Sequence, residues 1–199
     1  ITILLTLCAV SMGLLLSIFL ALGKMSKNKI LSGICSVYIF FFRGTPLLMQ
    51  LYFIYFGLPQ INMALTINSR FFAAFLAFSL NVRHIVQSLS DGNPAIDRGQ
   101  FEASKALGLS KAQTMQLVIF PQTIRRLVPS VANEFIMVLK DASLVSIIAL
   151  ADLTKVTRAI SSSTGTAMVY IPAMMIYLVM TAFFEFIFRR METKFSRYE

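Results

Sequence analysis

Residues 91–129, DGNPAIDRGQFEASKALGLSKAQTMQLVIFPQTIRRLVP, form a polar and basic segment in a chain that is otherwise mostly apolar. Two short helices are predicted within it. Asn93 is suited to cap the first helix, with Pro94 at the first helical position, where its missing N–H costs nothing. Gly108 is suited to the left-handed residue that ends this helix.

Ser110 and Gln113 have the spacing of a capping box, which predicts the start of the second helix. Pro121 is then predicted to break or end that helix, because proline lacks the backbone N–H that a helix interior needs. A compact helix–turn–helix is more structure than a connecting loop requires. We therefore interpret the 91–129 segment as a docking element for a soluble partner on one side of a membrane.

The composition indicates a polytopic membrane protein with a single domain, residues 1–199. The chain is 57% hydrophobic with a mean hydropathy of +0.74, and only 14% of its residues are charged, against about 25% in soluble domains. A net charge of +9 could suggest nucleic-acid binding, but the basic residues flank apolar runs, as membrane orientation demands. We predict no nucleic-acid partner. Cys8 and Cys35 lie in apolar stretches and are interpreted as small hydrophobic residues.

Five apolar runs predict five transmembrane helices, since about 20 apolar residues cross the hydrocarbon core. They cover approximately residues 3–22, 31–57, 70–90, 129–151 and 168–188. The predicted fold is thus an all-α membrane helical bundle, with the helix pair of residues 91–128 between the third and fourth spans. A short helix is also predicted to start near Asp152. The chain begins at Ile1 within an apolar run, and we expect a short segment to precede it.

The distribution of basic residues predicts the orientation. Segment 23–30, segment 91–129 and the C-terminal tail alternate onto one face of the membrane. Their basic residues are Lys24, Lys27, Lys29, Arg98, Lys105, Lys111, Arg125, Arg126, Arg189, Arg190, Lys194 and Arg197. The opposite face has only Arg70, Lys155 and Arg158. The positive-inside rule places the first face in the cytoplasm and the N-terminus outside.

No motif for chemistry or for energy capture occurs in the sequence. It has no GxxxxGK[ST] phosphate loop, no HExxH, no GxSxG and no Cys/His cluster with metal-ligand spacing. We therefore predict no catalytic residue, no metal site and no cofactor in this chain. Any uphill transport must take its energy from an ion gradient or from another subunit.

Ionisable residues within the predicted spans are the second functional signal, because charges there usually face a bundle interior or a water-filled cavity. They are Arg43, Arg83, His84, Glu134, Lys140, Asp141 and Glu185. Lys140 and Asp141 lie roughly 16–18 Å along the helix from Pro129, near the membrane midplane, and Arg43 and Arg83 fall at a similar depth. These four could bind a zwitterion.

The alternative for Lys140 and Asp141 is a structural network of ion pairs. Adjacent residues point about 100° apart on a helix, so the two side chains are expected to serve different neighbours. Glu134 lies about one turn inside the cytoplasmic end of its span and is interpreted as a gate or packing contact.

The stretch EASKALGLSKAQTMQLVIFP, residues 102–121, resembles the cytoplasmic E-A-A signature of ABC import permeases. Glu102, Ala103, Gly108 and Pro121 match that pattern, and Ser104, Val118 and Phe120 depart mildly from it. Segments 41–59, 79–81, 95–108 and 133–148 are similar to the polar amino-acid branch of the family. The resemblance covers roughly residues 31–190, with the five spans in the same order.

This resemblance implies a membrane-spanning, non-catalytic subunit of a type I importer in the bacterial plasma membrane. Two permeases, identical or homologous, would pack together in the lipid. Two ABC ATPase subunits would bind ATP and Mg, and an extracytoplasmic binding protein would deliver the amino acid.

The ATPase-coupling residues carried over are Glu102, Ala103, Ser104, Gly108 and Pro121. The substrate-binding candidates are Arg43, Asn81, His84, Lys140, Asp141 and Ser143. In this interpretation Ala103 permits close approach, Gly108 makes the turn, and Glu102 pairs with a basic group of the ATPase. ATP-driven closure of the ATPases would move the segment and switch the spans between outward-open and inward-open states.

The stretch NVRHIVQSLSDGNP, residues 81–94, departs from the family pattern. After S-L-N the family usually has an aromatic residue, then Ala-Glu, then an arginine one turn later; His84, Gln87 and Ser90 occupy those places. Three explanations remain open: a diverged member, altered substrate contacts, or a subunit specialised within a heterodimer. A lone histidine in a membrane span is also more often a hydrogen-bonded core residue than a ligand.

The leading hypothesis is thus a permease subunit of an ATP-binding-cassette importer for a polar or charged amino acid. One alternative is a gradient-driven amino-acid carrier, although an odd number of spans without inverted repeats argues against it. The other is a membrane scaffold or signalling protein whose 91–129 segment recruits a different soluble partner.

Overall fold

The computed structural model describes residues 1–81 and 98–196. The side chains of Arg98, Ile124, Arg126 and residues 194–196 are not part of that description. Within it every regular element is helical and there is no strand, which confirms the predicted all-α class. The predicted helix cap at Asn93 and Pro94, and the candidates Arg83 and His84, lie outside the described residues.

Ten α-helices occur in the described part of the chain. They are α1 Thr2–Lys24, α2 Lys29–Gly44, α3 Leu47–Tyr52, α4 Leu58–Ile61, α5 Arg70–Leu80, α6 Arg98–Ala106, α7 Lys111–Gln113, α8 Phe120–Asp141, α9 Leu153–Thr164 and α10 Tyr170–Ser196. Two π-helical segments, Phe53–Gly57 and Thr114–Ile119, join α3 to α4 and α7 to α8. Three 3₁₀ segments, Met63–Leu65, Ala142–Ile148 and Ala167–Val169, complete the list.

Two helical stretches in the described residues, Thr2–Lys24 and Ala167–Thr193, are by length and composition able to cross a membrane alone. The broken pair Lys29–Gly44 and Leu47–Ile61 could supply a third span. Helix α5 is apolar but has only 11 residues before the undescribed part begins. Helix α8 has 22 residues, of which Arg125, Arg126, Glu134, Lys140 and Asp141 are charged. The helix order agrees with the predicted bundle.

Helix α1 lies at the centre of the bundle and packs against α5, α8 and α2, while α10 packs along α8. Its buried face carries Leu5, Ala9 and Gly13 at four-residue intervals. On α5 the facing residues are also small: Ala73 and Ala77 are 0% exposed. Small residues let two helix backbones approach closely, which is the main source of packing energy between helices in lipid.

The predicted second span, residues 31–57, is not one continuous helix. The axis turns by 103° between α2 and the stretch Leu47–Ile61. Thr45 is extended, with φ −109° and ψ 141°, and Pro46 follows with φ −65° and ψ 135°. A proline disfavours the helical conformation of the residue before it and cannot donate to the preceding turn. The apolar length of residues 31–57 predicted one span, but the helix is interrupted at Thr45 and Pro46.

The prediction that Pro121 breaks or ends the second helix of the 91–129 segment is wrong. The chain stays helical from Lys111 through the π-helical segment Thr114–Ile119 into α8, with Pro121 in the first turn of α8. Pro59 likewise follows a π-helical segment, Phe53–Gly57. In both places a π-helical segment comes directly before the α-helical turn that holds the proline, and the chain stays helical through it.

Within the predicted fourth span, residues 129–151, the helix changes type, and the helix itself begins upstream of that span at Phe120. Helix α8 contains Pro129 in its interior and becomes a 3₁₀ segment after Asp141. That segment ends at Ala149, whose φ of 58° is left-handed. The Nζ of Lys155 donates to the Ala149 carbonyl at 2.8 Å, satisfying an acceptor at this helix end. Asp152 caps α9 through the backbone N–H of Thr154 and Lys155, as predicted.

We predict that Gly23→Ala weakens the contact between α1 and α2. A Cβ at Gly23 would lie 2.5 Å from the Sγ of Cys35, and Cys35 is buried. Overpacking of this kind costs about 1–3 kcal/mol, so the thermal unfolding midpoint of the purified protein should fall. The double variant Gly23→Ala/Cys35→Ala should recover the midpoint, because the overlapping sulfur is then gone.

Gly33→Ala is the matched control, since a Cβ at this second helical glycine meets no atom within 4 Å. Its midpoint should stay the same or rise slightly, because alanine is the better helix former. Equal losses for Gly23→Ala and Gly33→Ala would contradict the packing explanation.

Candidate functional site

The predicted docking element forms an elbow, residues 98–113, in which α6 turns sharply into α7. The Leu109 N–H donates to the Ser104 carbonyl and the Gly108 N–H to the Lys105 carbonyl, both at 3.0 Å. These two bonds form a Schellman motif, whose left-handed residue is Gly108 with φ +75°. The predicted role of Gly108 in ending the first helix is thus confirmed.

The capping box at the start of α7 is also present as predicted. The Ser110 hydroxyl accepts from the Gln113 N–H at 3.3 Å, and the Gln113 side chain accepts from the Ser110 N–H at 2.9 Å. Each side of the turn therefore satisfies its own helix-end groups. The elbow is thus a turn whose helix ends are hydrogen-bonded on both sides.

Three of the five predicted coupling residues, Glu102, Ala103 and Gly108, are exposed, whereas Ser104 and Pro121 are not. Glu102 and Ala103 are exposed on α6. Ser104 is only 3% exposed, and its hydroxyl donates to the Gln100 carbonyl at 2.7 Å. Gly108 forms the turn, and Pro121 is half-buried at the start of α8. The three exposed residues are therefore placed to meet a partner directly.

A groove of about 630 Å³ lies in the concave side of the elbow. Its lining residues are Phe101, Lys105, Leu109, Ser110, Lys111, Thr114 and Met115. Apolar side chains form most of the groove, and two lysines contribute positive charge to it. Such a surface suits an apolar side chain of a protein partner with an acidic neighbour.

A second cavity, of about 290 Å³, lies between the start of α3, the end of α5 and the inner part of α8. Its described lining residues are Pro46, Leu47, Leu48, Phe78, Asn81, Glu134, Met137, Val138, Asp141 and Leu144. Glu134 and Asp141 are two helical turns apart, so both project from one face of α8. Glu134 is 2% exposed.

Two of the six predicted substrate-binding residues, Asn81 and Asp141, line this cavity. Arg43 and Lys140 are exposed in the last turns of α2 and α8 and are not among its described lining residues, and nor is the half-buried Ser143. Lys140 and Asp141 thus face different surroundings, as expected for adjacent helical residues. His84 lies outside the described residues.

Gln50, which is not among the predicted site residues, lies in the same region. Gln50 is 6% exposed, and its amide nitrogen contacts the carbonyls of Phe42 and Thr45 and the hydroxyl of Thr45. Its oxygen accepts from the Asn81 amide at 2.8 Å. A glutamine within an apolar run, four residues after a proline, was the available signal.

The chemistry of the cavity is that of a cation acceptor. Its described polar side chains are two carboxyl groups, of Glu134 and Asp141, and one amide, of Asn81. Carboxylates accept charge-assisted hydrogen bonds, which are about twice as strong as those between neutral groups. An ammonium or guanidinium group matches this arrangement.

Comparison with known proteins was consistent across family, relatives and structure. Residues 13–197 match the family described as binding-protein-dependent transport system inner membrane component. The putative glutamine transport system permease protein GlnP of Rickettsia bellii is 36% identical over 189 residues, covering 94% of this chain and 85% of the relative. The arginine transport system permease protein ArtQ of Bacillus subtilis is 36% identical over 186 residues, covering 92% and 83%.

A solved structure described as an amino acid ABC transporter with histidines has a similar fold. It superposes with a TM-score of 0.85 at 40% sequence identity, covering 97% of this chain and 90% of that one. The match extends over almost the whole chain, including the elbow and the cavity-lining helices. The chain therefore belongs to the family of binding-protein-dependent transport system inner membrane components.

Proposed function

We propose that this chain is the membrane-spanning permease subunit of an ATP-binding-cassette importer for an amino acid. The relatives named for glutamine and arginine transport support this substrate class, and so does the acidic cavity, because every amino acid carries an α-ammonium group. Glu134 and Asp141 would bind that cation, or a cationic side chain, with Asn81 as a further acceptor.

The observation that carries the proposal is the helical continuity between the elbow and the cavity. From Lys111 to Asp141 the chain is helical without interruption, a distance of about 45 Å at 1.5 Å per residue. One end of this rod lies at the groove and the other carries the cavity-lining carboxylate. A displacement of the elbow therefore moves the wall of the cavity.

The elbow would dock on a separate ABC ATPase subunit that binds ATP and Mg, and this chain would have no catalytic activity of its own. Exposed Glu102 and Ala103 and the groove supply the contact surface, and the Schellman turn keeps its angle constant under load. Two ATPase subunits would serve a pair of permeases.

The exposure of Arg43 and Lys140 supports pairing of this chain with a second permease. Both are exposed on the isolated chain although each lies in a predicted span. An ion facing lipid is costly, so such residues face protein or a water-filled cavity in the assembly. We propose that they face the second permease or the translocation path between the two subunits, where a cation can meet the substrate carboxylate. Ser143 would lie beside this path.

The positive-inside pattern supports an N-terminus outside and a C-terminus in the cytoplasm. The elbow then lies in the cytoplasm, where ATPases are found, and α9 lies on the outer face. An extracytoplasmic binding protein would deliver the amino acid to that outer face, and the description of the family as binding-protein-dependent supports such a partner.

Reconstitution with the copurifying ATPase and binding protein tests the proposal as a whole. We expect vanadate-sensitive ATP hydrolysis that is stimulated by the loaded binding protein, with uptake into proteoliposomes that requires ATP. Uptake that persists without ATP and collapses with an uncoupler would instead indicate a gradient-driven carrier.

Glu102→Ala should uncouple ATP hydrolysis from uptake. Loss of a charged contact at the ATPase costs about 1.5–3 kcal/mol, so uptake per ATP hydrolysed should fall about tenfold or more while the permease remains in the membrane. Glu192→Ala, which removes a carboxylate near the end of α10, is the matched control and should behave as wild type. Undiminished uptake by Glu102→Ala would contradict the docking role.

Gly108→Val should have a similar effect through the backbone. A Cβ at Gly108 meets no atom within 4 Å, but the φ of +75° is unfavourable for a β-branched residue, at a cost of roughly 1–2 kcal/mol. The elbow angle should change without a steric clash, and uptake per ATP should fall. Normal coupling in this variant would show that the left-handed turn is dispensable.

Asp141→Asn should weaken amino-acid binding, because the substitution removes the charge and keeps the size. We expect the Kd of the nanodisc-embedded complex for its amino acid to rise about tenfold, in line with the cost of a hydrogen bond to a charged group. Calorimetric titration measures this. Glu185→Gln, a carboxylate on α10 outside this cavity, should keep the wild-type Kd; an unchanged Kd in Asp141→Asn would assign Asp141 a structural role.

A further inference from the structure

We propose that Gln50 is a positioning residue for the substrate cavity: it orients the Asn81 amide so that its oxygen is the acceptor available to the substrate. The inference rests on the proposed function of the cavity, since Gln50 itself is not among the described lining residues. It assigns a role to a buried amide that is not among the predicted site residues.

The Gln50 amide lies beside the break between α2 and α3. Where a helix ends within a membrane domain, its last carbonyls lose their helical partners and need others. The Nε2 of Gln50 lies 3.3 Å from the Phe42 carbonyl and 3.1 Å from the Thr45 carbonyl. The amide of Gln50 therefore supplies donors that the interrupted helix cannot.

The hydrogen bonds of the Thr45 hydroxyl determine which way the Gln50 amide faces. The Thr45 hydroxyl donates to the Phe41 carbonyl at 2.8 Å, so its hydrogen is used and its oxygen must accept. The Gln50 Nε2 donates to that hydroxyl oxygen at 2.7 Å. Reversing the amide would place its oxygen against three acceptor oxygens, two of them carbonyls. Only one orientation is stable.

The orientation of the Gln50 amide in turn fixes that of the Asn81 amide, which lines the cavity. With its nitrogen committed to Thr45, Gln50 can offer only its oxygen to Asn81, and the Asn81 Nδ2 donates to it at 2.8 Å. One amide group presents nitrogen and oxygen on opposite sides, so the Asn81 oxygen is left for other donors. Asn81 itself lines the cavity with Glu134 and Asp141.

The orientation of the Asn81 amide affects which ligand groups the cavity favours. A chain of donors runs in one direction from Asn81 through Gln50 and Thr45 to the Phe41 carbonyl. It makes the neutral residue of the cavity an acceptor beside the two carboxyl groups, so all three favour a ligand group rich in N–H donors. A ligand with N–H donors at this place can hydrogen-bond the Asn81 oxygen, and a ligand without them forgoes that bond.

Gln50→Leu tests the role, because it removes the amide and keeps an apolar side chain of similar length. We expect the Kd of the nanodisc-embedded complex to rise about tenfold for L-arginine or L-glutamine, whichever the wild type binds more tightly, with the number of sites per complex unchanged. Gln60→Leu is the matched control, since Gln60 is exposed on α4, and its Kd should equal that of the wild type.

The calorimetric stoichiometry separates positioning from simple damage. A merely structural role would lower the number of functional sites and leave the Kd of the remaining sites unchanged; that result would overturn the inference. If Gln50→Leu does not assemble, Thr45→Val removes only the hydroxyl in the chain of donors. It should raise the Kd about threefold, and an unchanged Kd would equally overturn the inference.

Asp141→Asn, titrated in parallel, distinguishes this inference from the proposed function. A raised Kd in Asp141→Asn with an unchanged Kd in Gln50→Leu would reject the role of Gln50 and keep the cavity as the substrate site. Unchanged Kd values in both variants would reject the cavity, and the role of Gln50 with it.

Discussion

A backbone polar group inside a membrane protein must find a partner within the protein, because lipid supplies none. This constraint governs the places where the helices of this chain are irregular. At the α2–α3 break the amide of Gln50 meets the released carbonyls. At Ala149, where the 3₁₀ segment ends, the Lys155 ammonium does so. At each of these two places a polar side chain supplies the missing donor, and one of them, Gln50, also accepts a hydrogen bond from Asn81, which lines the cavity.

The two π-helical segments each come shortly before a proline. Phe53–Gly57 precedes Pro59, and Thr114–Ile119 precedes Pro121. In both places the helix continues through the proline, which lies in the first turn of the α-helix that follows. The second case has a functional consequence, because it keeps the elbow and the cavity on one helical rod. A break at Pro121 would have separated the proposed docking surface from the residues that it is proposed to move.

Small residues hold this arrangement together at the centre of the bundle. Helices α1 and α5 approach through Ala9, Gly13, Ala73 and Ala77, and helix packing in lipid depends on such close contact. Helix α1 also contacts α8, so the central helix supports the rod along its side. The cavity lies between the start of α3, the end of α5 and the inner part of α8, and its described polar lining residues are Asn81, Glu134 and Asp141.

Much of this protein could be deduced from local sequence patterns. The apolar runs predict the all-α bundle, and the Ser110–Gln113 spacing and Gly108 predict a helix–turn–helix whose cap and turn the structure contains. These features depend on residues close in sequence, so the pattern and the geometry nearly coincide. The spacing from Glu102 to Pro121 indicated the family in combination with segments 41–59, 79–81, 95–108 and 133–148.

Only the tertiary structure decided which polar residues meet. Asn81 and Gln50 are 31 residues apart and form a hydrogen bond, while Lys140 and Asp141 are adjacent and face different surroundings. Depth along a helix placed Arg43 and Lys140 with Asp141, but the direction of each side chain separates them. Distance along the chain is a property of sequence. Partnership across the bundle depends on where the helix axes bend and on which faces pack together, and these are settled only when all the helices are in place.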